Sequence, residues 1–250
     1  MNLNKTANPV LDKSIFNKFR VSTETEQVMT IQGTVNKIAI LLILVILAAS
    51  YTWKFMGTGN TSALQTYMIA GGIGGFITAL ITVFKRSWAP ITAPVYAVLE
   101  GLFLGGISAY FNAQYSGIVV NAVALTFGTL FALLFAYKSG MIKVTNKLRL
   151  GIVAATGGIA IAYLISFILG FFNIQVGFIH GNGLTGIIFS LVVVVVAALN
   201  LVLDFDFIEN GAKSGAPKYM EWYGAFGLMV TLIWLYIEFL RLLAKLSGRD

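Results

Sequence analysis

LNLVLDFDFIENGAKSGAPKYMEWYGAFGLMVTLIWLYIEFLRLLAKLSGRD, residues 199 to 250, is the stretch that decides the fold of this chain. It holds the end of one apolar run, a turn rich in Gly and Pro, and a second apolar run at 222–246. Asp204 ends the first run and Glu238 lies inside the second. A carboxylate in hydrocarbon costs about 2.5 kcal/mol or more, so such acids normally face a bundle interior, a partner or water. We therefore expect these two acids to lie inside a helix bundle.

The composition of the whole chain indicates a membrane protein. Of the 250 residues, 58% are hydrophobic and 11% charged, and the mean hydropathy is +0.84; globular domains carry about 25% charged residues. A helix needs ~20 apolar residues to cross a bilayer. Seven runs near that length occur, at 38–53, 64–84, 91–111, 117–137, 150–172, 183–203 and 222–246. The sequence predicts an all-α, polytopic membrane protein in the lipid bilayer, with a polar tail (Met1–Lys37) and a seven-helix transmembrane domain (38–250).

Several classes of function are excluded or disfavoured. The chain has no Cys, which excludes disulfides, thiol catalysis and cysteine-ligated metals. Its net charge of +7 comes mostly from basic residues in short loops beside apolar runs, where membrane topology explains them better than nucleic acid does. The segment Gly211–Ser214 lacks the glycines of a phosphate loop, and serine nucleophile elbows and metalloprotease His-Glu motifs are absent. We expect no enzyme, no bound cofactor and no nucleic-acid partner.

The basic residues predict the orientation, because Lys and Arg accumulate on the cytoplasmic side. Thirteen of the seventeen lie in the tail and in the second-to-third, fourth-to-fifth and sixth-to-seventh loops, and the opposite loops contain only Lys54. We expect a cell-membrane protein with a cytoplasmic N-terminus. Arg241, Lys245 and Arg249 leave two alternatives for the last helix: it crosses with buried charges, or it is re-entrant. The single histidine, His180, is interpreted as a solvated loop residue.

Glycine spacing predicts close helix packing. Gly71 and Gly75, and likewise Gly101 and Gly105, are four residues apart, with Gly157 and Gly158 as a further group. Small residues at this spacing let helix backbones approach closely in lipid.

Helical periodicity indicates which polar residues share a face. Asn200 and Asp204 are four apart, whereas Asp206 points about 200° away from Asp204, toward the loop. Glu238, Arg241 and Lys245 form one polar stripe. That stripe predicts either a central helix beside a wet cavity, or a local Glu238–Arg241 pair with Lys245 reaching the surface.

Glu100 stands in the middle of the third run and has two interpretations. Its carboxyl group is hydrogen-bonded to Tyr96 or to a neighbouring helix, or it lies on an ion path.

These residues together resemble the transmembrane Bax inhibitor motif family, in particular its bacterial branch. The resemblance is carried by the seven runs, by Leu203–Ile208 at the end of the sixth, by Tyr96–Gly101 in the third and by Leu235–Phe239 in the seventh. Residues 8–10 and 29–37 of the tail also match. The chain departs from the family in having Glu238 where an aspartate is usual and Asp206 where an amide is usual. An alignment on Arg241 would leave the seventh helix without an acid.

The resemblance implies a bundle with the last helix in its middle and a pH-sensitive calcium leak. It implies a paired-carboxylate sensor, Asp204 with Glu238, and a basic partner at the end of the second helix, Lys85 or Arg86. Calcium prefers oxygen ligands, so Asp204 and Glu238, together with Glu100, would meet the transported ion. The family also includes regulators of membrane-anchored proteases. The alternative function is thus a non-transporting regulatory protein that binds a membrane partner through its tail.

Overall fold

A computed structural model describes residues 28–174 and 176–248, and it confirms the all-α, seven-span architecture. Each of seven long helices is long and apolar enough to cross a membrane. They are α1 (Ile31–Gly57), α2 (Thr61–Phe84), α3 (Ala89–Gln114), α4 (Ile118–Lys138), α5 (Asn146–Gly170), α6 (Leu184–Lys213) and α7 (Met220–Ser247). A 3-10 turn (Arg86–Trp88) precedes α3, and a one-turn helix (Gly177–His180) precedes α6. The side chain of His180 and residues 1–27 lie outside the described part.

Helix α1 begins inside the segment that hydropathy assigns to the tail. Thr30 caps it, because the Thr30 hydroxyl accepts a hydrogen bond from the backbone N–H of Gly33 at 2.9 Å. The 27 residues of α1 span about 40 Å, which exceeds the ~30 Å of hydrocarbon. The polar first turns of the helix therefore extend beyond the apolar run, and the tail ends before Ile31 rather than at Lys37.

Helix α6 likewise continues past its apolar run, to Lys213. Its 30 residues correspond to about 45 Å, so Asp204 and Asp206 both lie on helix rather than beside a loop. Helix α7 starts at Met220 and runs without interruption for 28 residues.

The last helix is central, as predicted. Helix α7 packs against α1, α3, α4 and α6, and two apolar clusters meet on it. Leu235 and Leu240 of α7 join the cluster formed with α4 and α6. Ala225 and Met229 join the cluster formed with α1 and α3. Because both clusters are built on α7, two residues of its polar stripe, Glu238 and Lys245, are buried, whereas Arg241 is half exposed.

The two ends of the bundle differ in charge. The basic end holds the start of α1 and the α2–α3, α4–α5 and α6–α7 junctions, and the far end holds the α1–α2, α3–α4 and α5–α6 junctions. At the basic end, Met29 N–H donates to Ala216 O at 2.7 Å, and the Arg86 guanidinium lies 5.4 Å from the centre of the Tyr223 ring. These contacts place the start of α1 beside the α2–α3 and α6–α7 junctions. At the far end, Lys245 near the end of α7 bonds Ile179 O in the α5–α6 loop at 2.7 Å. Helix α7 therefore runs from the basic end to the far end as one unbroken helix, Met220–Ser247, without the turn that a re-entrant helix requires.

Glycines mediate the close approaches between α1, α2 and α3. A Cβ added to Gly71 would lie 2.5 Å from Leu99 O, and one added to Gly101 would lie 2.6 Å from Val45 O. The packing interpretation is wrong for Gly157 and Gly158 of α5, where added Cβ atoms would meet nothing within 4 Å. Helix α5 buries only three of its described side chains, Ile152, Ile159 and Ser166.

Candidate functional site

A line of polar groups runs along one face of α5 and faces α6 and α7. Arg149, Thr156 and Tyr163 are seven residues apart, which keeps them on one face over about 21 Å of helix. Each of the three contacts a polar side chain across the interface. We call these six residues the polar seam: Arg149 with Asp206, Thr156 with Asn200, and Tyr163 with Glu238.

The basic-end pair of the seam is an ion pair. Arg149 Nη2 lies 2.6 Å from Asp206 Oδ2, and Asn200 Nδ2 donates to Thr156 Oγ1 at 2.8 Å farther along. As the helical spacing predicts, Asp206 points away from the direction taken by Asp204. It points to α5 rather than to a loop, because α6 continues past it.

Glu238 occupies the other end of the seam and is almost fully covered, with 1% of its surface exposed. The Tyr163 hydroxyl lies 3.0 Å from each of its carboxylate oxygens. Arg241 Nη1 donates to Glu238 Oε1 at 3.0 Å, so the local pair with Arg241 is present. Lys245, by contrast, does not reach the surface but turns inward.

Asp204 faces α7 near its middle. The side chain of Thr231 faces the Asp204 carboxyl group, and a Cβ added to Gly227 would lie 3.9 Å from Asp204 Oδ1. Within residues 28–174 and 176–248, Asp204 Oδ2 is buried without a hydrogen-bond partner. Burying a carboxylate oxygen without a hydrogen bond costs free energy. This oxygen can therefore accept a proton or bind a cation.

The predicted pairing of Asp204 with Glu238 is not formed. Glu238 bonds Tyr163 and Arg241, whereas Asp204 lies beside Thr231. Thr231 precedes Glu238 by seven residues, about 10 Å along the helix. Among the described residues, no group of three or more His, Cys, Asp and Glu side chains could hold a metal ion. The two acids therefore do not form a shared calcium site here.

The other predicted site residues, Glu100, Lys85 and Arg86, do not join Asp204 or Glu238. The Glu100 carboxylate lies between α3 and α2, where its Oε1 would be 2.7 Å from a Cβ added to Gly75. Lys85 lies over the Trp88 ring at 5.9 Å and Arg86 over the Tyr223 ring at 5.4 Å. Among the described side chains, neither cation forms an ion pair with an acid of α6 or α7. The predicted basic gate is therefore not assembled in this conformation.

Sequence reasoning missed a buried acid at the basic end, Glu221, which is 0% exposed. Thr30 donates to it through both N–H (2.9 Å) and hydroxyl (2.8 Å). Lys37 and Lys218 each place Nζ 2.9 Å from a Glu221 oxygen. The available signals were Thr30, a capping residue before an apolar run, and Lys218, three residues before Glu221.

Sequence reasoning also missed the contacts of Lys245 at the far end, because the polar stripe left open whether its ammonium faced the bundle interior or reached the surface. Its Nζ donates to Ile179 O, Gly186 O and Ser190 Oγ at 2.7, 3.0 and 2.8 Å. The lysine thus ties the end of α7 to the α5–α6 loop and to α6. No sequence signal revealed this, because two of the acceptors are backbone carbonyls.

Comparison with known proteins adds the family. The model of the family described as Bax inhibitor 1 like matches residues 8–248. Searches of curated proteins and of solved structures returned no match. The match spans all seven helices, including the α6–α7 pair that carries Asp204 and Glu238. The chain therefore belongs to the Bax inhibitor 1 like family.

Proposed function

We propose that this protein is a pH-sensitive cation leak, that calcium is the ion it passes, and that the polar seam is the path. The observation that carries the proposal is Asp204 Oδ2, a buried carboxylate oxygen without a hydrogen-bond partner among the described residues. It lies four residues from Asn200 of the seam, on the same face of α6. Polar groups at membrane depth commonly mark ion pathways.

The gating mechanism differs from a carboxylate dyad. The charge of Asp204 is neutralised either by a cation or by a proton, so the two compete for one oxygen. Lowering the pH favours the proton and lowers the occupancy of the cation. Flux should therefore fall as the pH falls.

The charges along the seam also explain why cations would pass slowly, as in a leak, rather than quickly, as in an open channel. An arginine stands near each end, Arg149 paired with Asp206 and Arg241 paired with Glu238. An entering cation meets two fixed positive charges, which are offset only by their paired acids. Loss of either acid would leave its arginine uncompensated and slow the passage of cations.

The test is calcium entry into liposomes that contain only this protein, from about pH 6 to about pH 8, the range over which a perturbed carboxyl group can titrate. Wild-type flux should rise with pH, and Asp204→Asn should remove the pH dependence because an amide does not titrate. Glu209→Gln is the matched control, since Glu209 lies on the same helix but pairs with Lys213 outside the seam. Flux no greater than in protein-free liposomes would contradict the leak, and a wild-type pH profile in Asp204→Asn would contradict the gating role of Asp204.

A second function, a non-transporting regulator that binds a membrane-anchored protease or other membrane partner, is favoured by the Glu221 cluster. Thr30 and Lys37 fasten the start of α1 to α7, which fixes where the preceding residues of the chain emerge. On either function we propose a cell-membrane protein with a cytoplasmic N-terminus and no enzymatic activity. The same liposomes separate the two, because a regulator alone would pass no calcium.

A further inference from the structure

A cavity of about 290 Å³ opens at the far end, beside the end of α7. Its walls come from the α3–α4 junction, α5, the α5–α6 loop, α6 and α7, and it is distinct from the environment of Asp204. We call it the far-end cavity. It is lined by Phe111, Tyr115, Tyr163, Ile179, Asn182, Ser190, Arg241, Ala244 and Lys245.

Among the described residues, the lining of the far-end cavity carries two cations and no carboxylate. Lys245 is 8% exposed, and its three hydrogen bonds go to two carbonyls and a hydroxyl, all of them neutral. These bonds satisfy its donors but leave its charge uncompensated, and an uncompensated charge in a covered site is costly. The nearest acid, Glu238, already pairs with Arg241. Within residues 28–174 and 176–248, one positive charge in the cavity wall therefore has no ion-pair partner.

Arg241 supplies donors for an anion. Only its Nη1 is used by Glu238, at 3.0 Å, while the guanidinium lies 5.2 Å from the centre of the Tyr163 ring and its side chain is 46% exposed. A guanidinium has five N–H donors in a planar fork, which suits the oxygens of a phosphate. Tyr115 and Asn182 add a hydroxyl and an amide to the same cavity.

The depth of the cavity favours phosphate among anions. Helix α7 has 28 residues, about 42 Å, which matches the ~40–45 Å of a bilayer with its headgroups. Lys245 stands two residues before the end of α7 and Arg241 six residues before it. In a bilayer centred on α7, Lys245 would lie about 3 Å from the helix end, within the headgroup layer, and Arg241 about 9 Å from it, near the boundary with the hydrocarbon.

We propose that the far-end cavity binds a phosphate group, with the Arg241 guanidinium bonding its oxygens and the buried Lys245 ammonium supplying the compensating charge. A phospholipid headgroup and free inorganic phosphate share this chemistry. The cavity shares Tyr163 and Arg241 with the far end of the seam but does not include Asp204, and phosphate binding is measured without calcium flux.

The experiment uses the full chain in phosphatidylcholine nanodiscs, in two arms. In one arm inorganic phosphate is titrated and binding is measured by calorimetry. In the other arm phosphatidylglycerol is included without phosphate, and lipids retained on the protein are counted by native mass spectrometry. Binding in the first arm identifies free phosphate as a ligand, and selective retention in the second identifies the headgroup. The absence of both in the wild type overturns the proposal without any variant.

Variants then locate the site. Arg241→Gln should weaken binding about tenfold, as expected for a lost charge-assisted contact, and Asn182→Ala should weaken it less while leaving both cations in place. Lys54→Gln is the matched control, because Lys54 is a cation at the same end whose ammonium lies over the Tyr51 ring, outside the cavity. An equal loss in Lys54→Gln, or full binding in Arg241→Gln, would overturn the assignment. Should Arg241→Gln fail to fold, Arg241→Lys keeps the charge and should bind more weakly than wild type.

Discussion

The Tyr163 hydroxyl of α5 lies 3.0 Å from both carboxylate oxygens of Glu238 on α7. Tyr163 thereby links α5 to the central helix at the far-end side of the seam. Because Glu238 is 1% exposed, no water can easily replace the hydroxyl. Tyr163 therefore holds a weakly packed helix against the core and solvates a buried acid at the same time.

Removing this hydroxyl should destabilise the bundle. We expect Tyr163→Phe to lower the free energy of unfolding by about 1 kcal/mol, the range of interhelical hydrogen bonds in membranes, as measured by thermal or denaturant unfolding in detergent. Tyr51→Phe is the control, because its hydroxyl meets only the exposed Tyr67 hydroxyl, at 3.3 Å. An equal loss in both variants would contradict a special role for the Glu238 contact.

The Glu221 cluster depends on the absence of a side chain at Gly33. A Cβ at that position would collide with the Glu221 carboxylate, which is held by Lys37 and Lys218. We expect Gly33→Ala to cost about 2 kcal/mol through overpacking, again measured by unfolding in detergent. Gly151→Ala, at a helical position where an added Cβ meets nothing within 4 Å, should instead be neutral or stabilise by up to about 1 kcal/mol. A stable Gly33→Ala protein would show that the cluster can rearrange freely.

The Arg149–Asp206 pair should tolerate reversal. Arg149→Asp places two acids side by side and should lower stability by about 1 kcal/mol, since the arginine side chain is half exposed and exposed pairs contribute little. The double variant Arg149→Asp with Asp206→Arg should recover most of that loss. A double-mutant cycle in detergent measures the coupling, and the absence of recovery would indicate that the orientation of the pair matters more than its charge.

The unbroken course of α7 from the basic end to the far end predicts the membrane topology. A reporter active only in the cytoplasm should work when fused after Lys147 and fail after Gly181, because the α4–α5 loop is basic and the α5–α6 loop is not. A fusion at Asp250 should behave like the one after Gly181, since Lys245 bonds Ile179 of the α5–α6 loop. Activity at Asp250 together with inactivity at Gly181 would require α7 to return.

Hydropathy predicted the number of spans, the all-α class and the approximate position of every helix. It placed the start of α1 too late and the end of α6 too early, because both helices continue with polar residues beyond their apolar runs. Periodicity correctly separated the directions of Asp204 and Asp206, since directions around a helix depend only on local geometry. Glycine spacing identified the packing of Gly71 and Gly101 but failed at Gly157, because spacing alone does not say whether a neighbouring helix is present.

The predicted pairing of Asp204 with Glu238 was wrong because the two residues lie at different heights along the bundle axis, not because they lie on the wrong helix faces. Asp204 lies nine residues before the end of α6 at Lys213, so in an antiparallel hairpin it meets α7 about nine residues after Met220. That level falls between Gly227 and Thr231, and Glu238 lies nine residues farther, about 13 Å. If the end of α6 had been predicted at Lys213, the difference in height between Asp204 and Glu238 would have been evident from the sequence. The bonds of Lys245 to backbone carbonyls, by contrast, depend on the tertiary fold and leave no trace in the sequence.

The sparse packing of α5 sets this helix apart from the other six. Six helices share the two apolar clusters or the glycine contacts, while α5 buries three side chains and leaves Gly157 and Gly158 open. Its remaining attachment is largely the three polar contacts of the seam, which are directional and reversible. An outward movement of α5 would break these contacts and expose the whole length of the seam, whereas the two apolar clusters, which contain no residue of α5, would stay in place.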